Sequence, residues 1–125
     1  MEKIVVDSHA WINYFTGRSE RIKDLIENNE LHTSIFNVAE IVSRVERDGI
    51  KADSIVQEIN QLSKIWYADL ESVLKAGKLH VKMRQKIKDF GLGDCFVIEL
   101  AERLNAKILT GDKHFKGLKN VIFIE

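Results

Sequence analysis

The sequence predicts an α/β domain of three layers, a mostly parallel five-stranded sheet with helices on both faces. Short β-branched runs alternate with helical apolar patterns, the order expected of strand–helix–strand units. The chain is 125 residues long with no Pro/Gly/Ser-rich linker, repeat or low-complexity tract, so residues 1–125 read as one domain. Acidic residues also recur where a strand ends or a helix begins.

The elements follow in order. Ile4 to Val6 reads as a buried strand, and Trp11, Ile12 and Phe15 as a short helix ending near Gly17. Arg18 to Asn29 carries Ile22, Leu25 and Ile26 at helical spacing, and Leu31 to Ile35 is a second strand. Asn37 opens a helix bearing Val38, Ile41, Val42 and Val45, which ends before Gly49. Asp53 is the expected N-cap of the next helix, with Ile55, Val56, Ile59 and Leu62 on one face. Lys64 to Tyr67 is a third strand. Asp69 to about Lys88 forms a long helix through Leu70, Val73, Leu74, Val81 and Ile87, where Gly77 marks a possible break. The loop Gly91-Leu92-Gly93 leads into a helix from Asp94 to Leu104. Lys107 to Thr110 and Val121 to Ile124 are the last two strands.

Composition excludes several classes. Nineteen Lys and Arg balance nineteen Asp and Glu, so nucleic-acid contact must rest on a local patch. The lone Cys95 excludes an internal disulfide framework. No segment approaches the roughly 18 apolar residues of a membrane span, and the N-terminus is no signal peptide, so the chain reads as cytoplasmic. The four histidines lack HExxH spacing, no GxxxxGK[ST] loop is present, and His9 stands where a haloacid-dehalogenase-type phosphatase needs a second Asp.

Four acids carry the chemistry: Asp7 in KIVVDSHAWINYF, Glu40 in TSIFNVAEIV, Asp94 in GLGDCFVIELA and Asp112 in KILTGDKHF. Ligand sites of open α/β sheets lie outside the carboxyl ends of the strands, where chain-distant residues meet. Four carboxylates gathered there repel one another unless a cation lies between them, and hard divalent cations take oxygen ligands of this kind. Three of the acids have a plain structural alternative, whereas Asp7, directly after an apolar strand, is harder to dismiss. Glu40 could complete a capping box with Asn37, Asp94 could be an N-cap, and Asp112 could belong to turn chemistry. Placed in first turns, Glu40 and Asp94 should have lowered pKa values from the helix dipole. Ser8 and Thr110 are candidate supporting hydroxyls. Arg18, Arg44, Lys113 and Lys116 are candidate nucleic-acid contacts, each with an ordinary reading as a solvated charge. His114 could meet a phosphate or leaving group, but reads first as a surface residue.

These residues resemble the PIN-domain family, and within it the VapC-type toxin ribonucleases, over essentially the whole chain. The motifs are hhhDShhhhhF at Asp7, hxxxEI at Glu40, and GDxxhxxLAxxxxAxhLTxDxxF from Gly93 to Phe115. Gly-Leu-Gly before Asp94 and Cys95 in place of the usual Ala depart from the pattern without removing a ligand. The resemblance implies a PIN-like fold, single-stranded RNA cleavage, a homodimer and a cognate VapB-type antitoxin. It also implies a Mg²⁺ or Mn²⁺ site, which Asp7, Glu40, Asp94 and Asp112 would form; the chemistry favours Asp7 and Asp94 as direct ligands, with Glu40 and Asp112 serving a second ion or holding metal-bound waters. A catalytically silent PIN-like scaffold and an RNA-processing nuclease without antitoxin are the alternatives.

Overall fold

A computed structural model describes residues 1–17 and 19–124. Five strands, β1 (Lys3–Val6), β2 (Glu30–Ser34), β3 (Ser63–Trp66), β4 (Lys107–Thr110) and β5 (Val121–Phe123), form one sheet in the order β3-β2-β1-β4-β5. Every pairing is parallel. Six helices connect them: α1 (Ser8–Thr16), α2 (Glu20–Glu27), α3 (Ile35–Arg47), α4 (Asp53–Leu62), α5 (Leu70–Lys86) and α6 (Leu92–Leu104). A single 3-10 turn, Lys113–Phe115, follows β4.

The period of two in the strands divides the core. Ile4, Val6 and Leu109 pack with Trp11, Ile22, Ile41 and Ile59 on one face of the sheet. Val5 and Ile108 point the other way, to Ala76, Phe90, Val97, Leu100 and Phe115. The predicted three layers are therefore present. Trp11, fully buried, donates its indole N–H to Thr33 Oγ1 at 3.1 Å, and that hydroxyl meets Ser63 Oγ at 2.7 Å, tying α1 to β2 and β3. Tyr14 and Phe15 pack on Trp11 as part of the same core.

Several local expectations are corrected. Ile35 starts α3 rather than ending β2, because Ser34 caps the helix by accepting the Phe36 N–H at 3.3 Å. Asn37 is thus inside the helix and not its cap. Asp53 is the first residue of α4, whose cap position is Ala52 with no side-chain hydrogen bond. Instead, the Ala52 N–H is taken by Glu46 Oε2 at 2.8 Å. Gly77 makes no break, since α5 runs unbroken through it, and Leu92 is helical rather than loop. Leu70, Val73, Leu74 and Val81 lie exposed, while α5 buries Ser72, Ala76 and Met83. Ala76 and Met83 join the apolar cluster that holds Phe96, Val97 and Leu100 of α6. No described helix is long and apolar enough to cross a membrane.

Candidate metal centre

β1 is central, with β2 on one side and β4 on the other. The chain leaves these strands in opposite senses, which opens a crevice at their carboxyl ends. Asp7 follows β1 there, N-capping α1 with its carboxylate on the Ser8 N–H at 2.8 Å. Its backbone N–H continues the ladder to the Leu109 carbonyl at 3.0 Å. The carboxylate is 2% exposed, and its other oxygen accepts the Thr110 hydroxyl at 2.6 Å.

α3 brings Glu40 to the same point, although not as the sequence argument had it. The Ser34 cap puts Glu40 in the second turn, beyond the strong part of the helix dipole. Asn37, one turn earlier and fully buried, donates to Glu40 Oε1 at 2.8 Å and to Asp7 Oδ1 at 3.5 Å. A single amide thus holds two acids from different elements. Asn37 Oδ1 is left without a hydrogen-bond partner.

Asp94 is in the first turn of α6, where it also accepts the Gly91 N–H at 3.2 Å. The Glu40 carboxylate sits directly over Gly93 and would have to move aside for any side chain there. A Cβ on Gly93 would stand 2.7 Å from Glu40 Oε2.

Asp112 caps the 3-10 turn after β4, accepting the His114 N–H at 2.9 Å and meeting His114 Nδ1 at 2.8 Å. The Thr110 hydroxyl accepts the Asp112 N–H at 3.0 Å. Ligand atoms of Asp94, Asp112 and His114 lie within 4.8 Å of one another. Gly111, just before Asp112, is closely confined, since a Cβ there would meet His9 Cε1 and the Ile124 carbonyl, each at 2.6 Å.

The electrostatics oppose the dipole argument. Asp94 is pushed up to about 7, first by burial and then by Asp7, against the pull of the Gly91 N–H. Asp7 is raised by burial despite the Thr110 and Ser8 hydrogen bonds, and Asp112 adds to the rise. The Glu40 carboxyl is raised by desolvation of its inner side, opposed by Asn37 and reinforced by Asp7. Much of the Glu40 side chain faces solvent, so water screens that rise. Desolvation and like charge outweigh one helix N-terminus, which explains the failure of the expected lowering.

No Lys or Arg forms an ion pair with Asp7, Glu40, Asp94 or Asp112 among the described residues. Such crowded oxygens without a basic partner suit a hard divalent cation. The donor set fits the group that the sequence implied, with the His114 imidazole at its edge.

The other sequence candidates are spread around this rim. Ser8 supports Asp7 through its backbone N–H at 2.8 Å and its hydroxyl at 3.4 Å. Arg44 pairs with Asp48 at 3.6 Å, toward the far end of α3. Lys113 is exposed beside Asp112, and Lys116 lies 5.2 Å from the Phe123 ring centroid. Arg18 lies outside the described residues. Asn37, read from the sequence only as a helix start, and His114, read first as a surface residue, both touch these acids. Asn37 shares a helical face with Glu40 three residues on, and that spacing was the available signal.

Comparison with known proteins agrees with this geometry. No curated protein matches the sequence. Among solved structures, the chain is similar to the sarcin-ricin loop cleaving toxin VapC20 of Mycobacterium tuberculosis, at 13% identity and TM-score 0.77, covering 94% of this chain and 96% of that one. It is also similar to VapBC2 from Rickettsia felis bound to a promoter DNA fragment, at 19% identity and TM-score 0.75, with 98% and 97% covered. A toxin-antitoxin complex from Klebsiella pneumoniae matches at 18% identity and TM-score 0.73, with 95% of each chain covered. These likenesses establish the fold. The PIN domain family model matches residues 4–121, nearly the whole chain, and the chain belongs to the PIN domain family.

Proposed function

We propose that this protein is a metal-dependent endoribonuclease cleaving single-stranded RNA, the toxin component of a VapBC-type toxin–antitoxin pair. The observation that carries the reading is the meeting of Asp7, Glu40, Asp94 and Asp112 at the carboxyl ends of β1, β2 and β4 with no basic partner among the described residues. Asp7 and Asp94 are assigned as direct ligands of Mg²⁺ or Mn²⁺, and Glu40 and Asp112 as the carboxylates completing the site. Bound there, a divalent cation supplies charge neutralisation at the scissile phosphate and an acidified water for attack.

The chain's own residues do the rest. Thr110 and the Ser8 N–H hold Asp7 in one rotamer, and Asn37 fixes the spacing of Asp7 and Glu40. Phosphoryl chemistry of this kind needs positioning and charge more than a protein nucleophile. Toxin–antitoxin complexes among the similar structures support a cognate VapB-type antitoxin, with a homodimer and a cytoplasmic setting as further parts of the proposal.

Purified protein incubated with mixed-sequence single-stranded RNA in Mg²⁺, Mn²⁺ or EDTA, beside Asp94→Asn, tests it. Metal-dependent cutting lost in Asp94→Asn is the expected result. Absence of cutting with either metal, or cutting indifferent to the substitution, would leave a silent RNA- or protein-binding scaffold. Cutting by a protein with no antitoxin encoded beside it would indicate an RNA-processing role.

A further inference from the structure

α5 and the residues just after it concentrate positive charge that the whole chain lacks. From Leu70 to Lys88 stand Lys75, Lys78, Lys82, Arg84, Lys86 and Lys88 against the single acid Glu71. Lys75, Lys78, Lys82 and Lys86 recur at i, i+3, i+7 and i+11, so they share one side of the helix. Their row runs about 16 Å at 1.5 Å of rise per residue, and all four are exposed. Ser72, Ala76 and Met83 take the buried side. Lys75 is held by Glu71 at 3.2 Å, at an exposed pair of little energetic weight. Lys78, Lys82 and Lys86 have no carboxylate within ion-pair distance among the described residues.

The row borders a groove of about 450 Å³ between α5 and α6, whose far wall is Glu99, Glu102 and Arg103. Glu99 is already engaged by Arg103 at 3.2 Å, leaving Glu102 to face Lys78 and Lys82. Such a wall favours a polyanion tracking the lysine edge over one buried in the groove.

The row also leads to the acidic rim. His80 on α5 meets the Phe90 carbonyl at 3.0 Å. The Phe90 ring packs edge-on against His114, with centroids 6.3 Å apart, and against Phe115 at 5.6 Å. The middle of α5 is thereby tied, through Phe90, to the 3-10 turn that follows Asp112 and carries Lys113. Lys86 and Lys88 precede Gly91, the N-cap of the helix that carries Asp94.

We propose that the α5 lysine row is a secondary binding track for the phosphate backbone of single-stranded RNA, extending the substrate contact beyond the acidic rim. The proposal rests on the nuclease reading for the identity of its polyanion. An anionic lipid surface is the competing partner, because Leu70, Leu74 and Val81 are exposed on a neighbouring side of α5. RNA is favoured because Lys86, the last of the row, lies five residues before Gly91, the N-cap of the helix that carries Asp94.

The test is fluorescence anisotropy of a labelled mixed-sequence single-stranded RNA in EDTA across a salt series. The native protein is compared with the triple variant Lys78→Gln, Lys82→Gln, Lys86→Gln. A charge-matched control carries Lys3→Gln, Lys23→Gln and Lys51→Gln. Each lysine–phosphate contact contributes about 0.7 to the slope of log K against log salt on single strands. The row variant should therefore flatten the slope by about 2, with the control near native. In Mg²⁺, its cleavage of a long RNA should fall several-fold more than its cleavage of a dinucleotide, which is too short to reach the row. An unchanged slope, equal flattening in the control, or no RNA binding by the native protein would overturn the track. So would a loss confined to cosedimentation with phosphatidylserine vesicles. Binding in EDTA needs no catalysis, so a protein that binds through the row but never cuts would refute the nuclease and spare the track. One that cuts while the row variant binds unchanged would do the reverse.

Discussion

The hydroxyl of Thr110 joins two acids of the site: it donates to Asp7 Oδ2 at 2.6 Å and accepts the Asp112 N–H at 3.0 Å. Thr110 is fully buried at the end of β4, so neither bond competes with water. Outer-shell partners of this kind typically contribute about 10–100-fold to metal affinity. Thr110→Val keeps the shape and deletes both bonds. Calorimetric titration with Mn²⁺ should show a loss in that range, with Thr110→Ser close to native; equal affinity for Thr110→Val would refute the supporting role.

The raised pKa of Asp94 sets a pH dependence for the metal-free protein. Its folded value of about 7 lies above the ordinary carboxylate value near 4. Between those values the folded state binds more protons than the unfolded state, so stability falls as pH rises through that window. Below it the contribution is fully present, and above it fully lost. Differential scanning calorimetry in EDTA should show Tm falling from pH 5 to pH 8, with Asp94→Asn flattening the fall. Mn²⁺ at pH 8 should raise Tm again, the added stabilisation being about 2.7 kcal/mol at one hundred times Kd. A Tm that rises over the window would contradict the sign.

Gly93→Ala separates stability from activity. Gly93 is the second residue of α6, where Ala suits the helical backbone at least as well as Gly, yet its Cβ would stand 2.7 Å from Glu40 Oε2. Glu40 must swing away from the cluster. The expected outcome is a thermal midpoint within a few degrees of native together with at least a tenfold loss of metal-dependent cleavage. Unchanged cleavage would remove Glu40 from the site.

Asn37→Ala deletes the amide between Asp7 and Glu40. Because Asn37 Oδ1 is buried without a partner, the substitution also relieves an unpaired polar atom, which offsets the lost hydrogen bonds. Denaturant unfolding should place it within about 1 kcal/mol of native, while Mn²⁺ affinity drops about tenfold or more. Large destabilisation with native affinity would recast Asn37 as a core residue only.

Much of the fold was legible in the residues because period and punctuation are local properties. Ile4 to Val6, Lys107 to Thr110 and the α6 pattern read correctly, since apolar spacing and flanking turns were unambiguous. The placing of Asp7 and Asp112 at strand ends was likewise visible. The α3 start was not: Ser34 and Asn37 are both good caps, and only the β2 register with β3 through Ser34 and Trp66 settles which one is used. That choice moved Glu40 out of the first turn and gave Asn37 its bridging role. The apolar residues of α5 misled for a related reason, as helical spacing states which residues share a face but not which face meets the core.

The sequence by itself determined the fold class and the placing of Asp7 and Asp112 after strands and of Asp94 in a first helical turn. Only the tertiary structure decided the strand order that brings them together, the raised carboxyl pKa values and the contacts of Asn37 and His114. The physical reason is distance. Propensity and periodicity act over a few residues, whereas desolvation and charge repulsion depend on groups that the chain separates and the fold reunites.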